Sequence, residues 1–164
     1  MLERLKDILN FIIKESGKIG SFLILLLIIL VSISVILRYV FSIGFIWLQD
    51  LYIWVHAIFI LLGLTYTLNK DEHVRIDLFY RSLKIKIKKK INFFGTLFFG
   101  MPVSLILISN GFDYFYRSFL QNESSKETGG LPFIFILKFF ILLMGIFLLL
   151  ELLRQTLNFL REKK

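Results

Sequence analysis

Four long apolar runs dominate this chain and leave it few ways to fold. Ile19 to Leu37 carries no charged residue, Leu51 to Leu68 holds no Asp, Glu, Lys or Arg, Ile91 to Phe112 is uncharged, and Leu131 to Leu150 is broken only by Lys138. A hydrocarbon layer about 30 Å thick is crossed by roughly 20 helical residues, so each run is long enough to span it. A water-soluble fold is the poorer solution. Of the 164 residues 57% are hydrophobic, and nineteen are Phe; a small domain leaves too much of its surface in water to hide them all. Lipid offers no partner for a loose backbone N–H or C=O, which makes helices the expected form of every run. The expected fold is an all-α integral membrane protein in a single domain, 1–164. Transmembrane helices are expected at 19–40, 47–68, 91–115 and 131–153, with an amphipathic interfacial helix at 1–17. The first run lies too far from the start, and is too long, to read as a cleavable signal.

The net charge of +8 gains its meaning from position. Four basic residues fall in residues 1–18, eight in 69–90 and four from Arg154 onward, leaving only Arg38, Arg117, Lys126 and Lys138 elsewhere. Positive charge collects on the cytoplasmic side of membrane proteins. Both termini and the 69–90 connection are therefore expected inside, and residues 38–47 and 113–130 outside. The same distribution argues for membrane orientation and against a nucleic-acid partner.

Two polar segments are amphipathic. In residues 1–15, Leu2, Leu5, Ile8, Leu9 and Ile12 share one helical face, and Glu3, Lys6, Asp7, Asn10 and Lys14 the other. Residues 76–90 carry Ile76, Phe79, Tyr80, Leu83 and Ile87 at helical spacing, although Lys84 to Lys88 also alternates like a strand; a surface helix is expected. Lys84, Lys86, Lys88, Lys89 and Lys90 read as a topology signal in contact with anionic lipid. Gly100-Met101-Pro102 predicts a kink in the third span, because proline lacks a donor and clashes with the preceding turn. Pro132 is expected in the first turn of the fourth span.

The placement of chemistry is informative. None of the twelve acidic residues falls in the middle of a run, and Asp50, Asp113 and Glu151 are expected at helix ends. Carriers usually keep carboxylates or broken helices near the midplane, so an accessory subunit fits better than a self-sufficient transporter. His56 lies deep in an apolar run and is expected to make a structural hydrogen bond to another helix. Lys138 either snorkels outward or pairs with a partner subunit. Arg38 and Asp50 flank a short connection, so that either an ion pair forms across the outer hairpin or the hairpin instead presents Trp47 and Asp50 to another protein. His73 and Asp77, four apart, share a face if their segment is helical, but two ligands make no metal site; none is expected. Asn122-Glu123-Ser124 fits a glycosylation sequon, a pattern that recurs by chance. The chain has no Cys, which excludes disulfides and thiolate chemistry.

Taken in order, Leu37-Arg38-Tyr39-Val40-Phe41, Trp47-Leu48-Gln49-Asp50, His73-Val74-Arg75-Ile76-Asp77, Glu123-Ser124-Ser125 and Gly130-Leu131-Pro132 resemble the small permease subunit of tripartite ATP-independent periplasmic (TRAP) transporters over almost the whole chain. Where that family commonly has Glu after the Trp, this chain has Asp50, which keeps the charge and shortens its reach. The resemblance implies a bacterial inner-membrane complex with a large permease subunit, here expected as a separate polypeptide, and a periplasmic substrate-binding protein. It implies secondary uptake of an organic anion such as a C4-dicarboxylate or sialic acid. The Na⁺ coupling would lie in the large subunit, with no cofactor in this one. Arg38, Trp47, Asp50, His73, Arg75, Asp77, Glu123, Ser124 and Lys138 are the candidate partner contacts. The competing readings are a self-contained homo-oligomeric exporter, which would need a carboxylate within a helix, and a haem-bearing subunit, which would need paired intramembrane His.

Overall fold

The computed structural model describes residues 2–72, 80 and 82–161, with side chains described between residues 10 and 160. The regular structure among these residues is helical, with no strand. Helix α1 is Leu2–Tyr39, α2 is Ile46–Asn69, α3 is Ile85–Gly95, α4 is Met101–Leu120 and α5 is Phe135–Arg161. A π-helical turn, Thr96–Gly100, joins α3 to α4 without a break. Four stretches are long and apolar enough to cross a membrane: Asn10–Tyr39, Ile46–Asn69, Ile85–Leu120 and Phe135–Leu160.

The segment read as a separate interfacial helix instead continues into the first span. α1 runs for 38 residues, about 57 Å at about 1.5 Å per residue, which exceeds the hydrocarbon thickness. No proline or turn interrupts it, so nothing local ends one helix before the other begins. The lysine-rich segment joins the third span in the same way. Lys84 is the extended residue before α3, and Ile85 onward is helical, which rejects the strand alternative for 85–88. In place of a simple kink, Pro102 is accommodated by the π turn. Met101 donates to the carbonyl of Thr96, five residues back, and this wider turn relieves the crowding that a proline imposes on an α-helix. The fourth helix starts at Phe135, so Leu131 and Pro132 belong to the preceding loop and not to its first turn.

The helices are ordered α1, α2, α5, α4. α1 packs on α2, α2 on α5 and α5 on α4, with only minor contact between α1 and α5. Small residues allow the close approaches on which helix association in lipid depends. Ser104, Gly111 and Ser118 repeat every seven residues along α4, and all three are buried. A Cβ at Gly111 would meet the Leu142 backbone at 3.3 Å, and one at Gly145 the backbone nitrogen of Ile108 at 3.2 Å. Across the other pair, a Cβ on Gly17 would overlap the Tyr66 ring. Two helices end alike. Asp71 after α2 and Asn122 after α4 are left-handed, with φ of 60° and 46°; Glu72 donates to Thr67 O at 3.0 Å and Glu123 to Ser118 O at 3.1 Å. These bonds satisfy carbonyls that the helix end would otherwise leave open.

Candidate functional site

The polar groups collect at the two ends of this helical layer. One end carries the 40–45 and 121–134 connections, and the other carries the end of α2, the start of α3 and the last turns of α5.

At the first end the 121–134 loop is held by its own backbone. Ser125 donates to Leu131 O at 2.9 Å, Gly130 to Glu127 O at 3.0 Å and Ile134 to Glu123 O at 2.9 Å. Asp50, in the first turns of α2, reaches across and accepts the Leu131 backbone N–H at 2.9 Å. The Arg38–Asp50 ion pair does not form. α2 packs on α5, which brings the loop before α5 to Asp50, and the Leu131 amide of that loop takes the carboxylate. Arg38 is exposed and has no carboxylate partner among the described residues. It lines a groove of about 430 Å³ with Ser34, Ser42, Gly44, Phe45, Ile46 and Gln49. Trp47 is exposed, with its ring 5.8 Å from that of Phe45.

Lys138 neither snorkels freely nor stands open to a partner. Its ammonium is buried, bonds the Glu123 carboxylate and sits 3.9 Å from the centre of the Tyr114 ring. The loop return that fixes Ile134 to Glu123 carries the carboxylate down to the lysine. In turn, the hydrogen bond from Lys138 holds the Glu123 carboxyl below the usual carboxylate range. Ser124 beside it is exposed.

At the other end is a cluster that sequence reasoning missed. Glu151 is fully buried, ten residues before the end of α5 and not at the helix end where it was expected. Its carboxylate accepts from Arg154 Nε at 2.8 Å, Arg154 Nη2 at 2.6 Å, Gln155 Nε2 at 2.8 Å and Asn69 Nδ2 at 3.0 Å. The i, i+3, i+4 spacing of Glu151, Arg154 and Gln155 was visible in the sequence; the tie to Asn69 needed α2 and α5 side by side. Next to it, a cavity of about 760 Å³ is lined by Asn69, Lys89, Asn92, Thr96 and Arg154 among others. Lys84, Lys86, Lys89 and Lys90 are exposed, and Lys88 places its ammonium 5.1 Å from the Tyr80 ring. His73, Arg75 and Asp77 lie outside the described residues.

Among the described residues His56 makes no hydrogen bond to another helix; it is exposed on α2. No group of three or more metal-ligating residues occurs among the described residues.

Helices of spanning length, joined by small-residue seams and with their buried charges bonded internally, define a four-span helical membrane protein. Residues 27–162 match the family described as Tripartite ATP-independent periplasmic transporters, DctQ component. The chain belongs to this family, the small permease component of TRAP transporters, which is a transporter component and not an enzyme. The family functions with a large permease and a periplasmic binding protein. No individually curated protein matches the chain.

Proposed function

We propose that this chain is the small subunit of a TRAP transporter of a bacterial inner membrane, where it holds the immobile part of a separate large permease while the mobile part carries substrate. The observation that carries this reading is the state of its buried charges. Glu151 accepts four hydrogen bonds, and Lys138 is taken up by Glu123 and Tyr114. Groups saturated in this way build a rigid body and have little capacity left to bind and release a solute, whereas carriers depend on intramembrane charges that exchange partners.

Both termini lie in the cytoplasm in this reading, since that puts the lysines at the start of α3 inside. The end bearing Arg38, Trp47 and the 121–134 loop then faces the periplasm and the substrate-binding protein. Arg75, Asp77 and His73 fall on the cytoplasmic side, as contacts to the large subunit. The transported solute is an organic anion of the C4-dicarboxylate or sialic acid kind, and Na⁺ is coupled in the large subunit. Reconstitution tests the proposal. Liposomes holding both permease subunits should take up substrate when the binding protein and a Na⁺ gradient are supplied, and liposomes holding this chain alone should not. Uptake by this chain alone would overturn the reading in favour of a self-contained carrier.

A further inference from the structure

Five residues of α2 are exposed: Ile46, Trp47, Ile53, His56 and Ile60. Ile46, Ile53, His56 and Ile60 follow one another at spacings of seven, three and four, so they form one stripe along the helix. The rest of α2 is buried or half-buried. The stripe is therefore the open side of a helix that is packed by α1 and by α5.

A purely apolar stripe would be at home against lipid. His56 makes this one different. Two basic groups lie inside the four apolar runs, Lys138 and His56; the first is buried and paired, and the second turns outward. His56 lies five residues beyond Leu51, about 7–8 Å inside the apolar run at about 1.5 Å per residue. A neutral imidazole carries one donor and one acceptor, and no residue among those described bonds either. Acyl chains offer neither partner, and leaving a polar group unbonded in hydrocarbon is costly. The side chain is also short, so it cannot bring both ring nitrogens to the surface as a lysine would bring its ammonium. Asn110 on α4 is exposed as well, but it stands two residues from Phe112, where its apolar run ends.

We infer that the Ile53–His56–Ile60 face of α2 docks a transmembrane helix of the large permease subunit, and that this helix carries a hydrogen-bonding group opposite His56. The inference rests on the proposed function and adds the surface. Ile53 and Ile60, each about half exposed at 52% and 49%, supply stiff β-branched flanks one turn or so either side of the imidazole. A second copy of this chain is the weaker occupant. Two-fold pairing through the stripe sets His56 against His56, where one ring donates to the other and a donor and an acceptor are still left over.

The absence of Cys allows a direct test. Ile53→Cys, Ile60→Cys and, on the outer side of α1, Ile29→Cys are each labelled with a benzophenone maleimide in membranes that also contain the large subunit. Photolysis should join the large subunit to positions 53 and 60. Cross-links from position 29 with none from the stripe, or stripe cross-links only to a second copy of this chain, would overturn the inference. His56→Leu should lower the large subunit recovered by affinity purification of this chain roughly fivefold to tenfold, and His56→Gln, which keeps a donor and an acceptor, should restore it. Because the position is exposed, the melting temperature of the isolated chain should not move in either variant. Equal recovery for both variants also overturns the inference and leaves the proposed function standing. Failure of the unaltered chain to retain the large subunit would remove the proposed function itself.

Discussion

Arg154 grips Glu151 with two parallel hydrogen bonds, Nε to Oε2 at 2.8 Å and Nη2 to Oε1 at 2.6 Å, one helical turn apart inside α5. Asn69 of α2 then bonds the same carboxylate at 3.0 Å, so one charged pair fastens two helices where the apolar seam between them ends.

Removing Glu151 should therefore be among the most damaging single changes. Glu151→Ala leaves Arg154, Gln155 and Asn69 without their acceptor; Arg154 is only half-buried and its guanidinium can turn to water, so the cost should fall below that of breaking a fully buried pair, at about 2–3 kcal/mol. Asn69→Ala loses a single bond and should cost about 1–2 kcal/mol. Denaturant titration of the purified chain, followed by helical circular dichroism, gives both values. A Glu151→Ala variant as stable as the parent would show that the pair contributes nothing to holding α2 and α5.

The α4–α5 seam should tolerate almost no added bulk. At Gly145 a Cβ would lie 3.1 Å from Ile108 Cγ1 and 3.2 Å from Ile108 N, and the backbone atom cannot move aside independently of its helix. Gly145→Ile should cost at least the 1–3 kcal/mol typical of an overpacked core, read from the same titration. The matched change at Gly63, where nothing lies within 4 Å, should cost less.

Acid should weaken the loop end before the rest of the protein. Lys138 depresses the Glu123 carboxyl below its ordinary value of 4.5, so the folded state binds that proton more weakly than the unfolded state does. The resulting stabilisation is fully present above the unfolded value and is lost as pH falls through the lower, folded value. The melting temperature of the parent chain should drop on acidification below about pH 4.5 by more than that of Lys138→Met, in which the contribution is already missing at neutral pH.

Asp50 should matter first as a clamp on the 121–134 loop. Asp50→Ala leaves the Leu131 N–H without its acceptor, and trypsin should then cut after Lys126 several times faster, as read by mass spectrometry of the fragments. Asp50→Asn keeps an acceptor oxygen and should restore most of the protection. If Asp50 also meets the periplasmic binding protein, Asp50→Lys should reduce uptake by the whole complex further than Asp50→Ala does.

The legible and illegible parts of this protein divide along physical lines. The four spans could be read because an apolar run of that length has one stable state in a bilayer, whatever its neighbours do. The joins between elements were harder. α1 absorbs the amphipathic segment because nothing local stops a helix at residue 17, and the stress at Pro102 appears as a π turn because the chain there can widen by one residue without breaking. Side-chain partners were the least legible. Asp50 looked suited to Arg38, its neighbour across a short hairpin, and instead caps a loop that lies more than eighty residues further on.

By itself the sequence determined the membrane class, the helical state and the family pattern, since each follows from local composition or from order along the chain. Tertiary structure alone decided the order α1, α2, α5, α4, the bonding of Lys138 to Glu123, the tie from Glu151 to Asn69 and the outward turn of His56. Which side of a helix is covered depends on what packs against it. In lipid, where every face of a span is apolar, sequence periodicity carries almost no record of that choice.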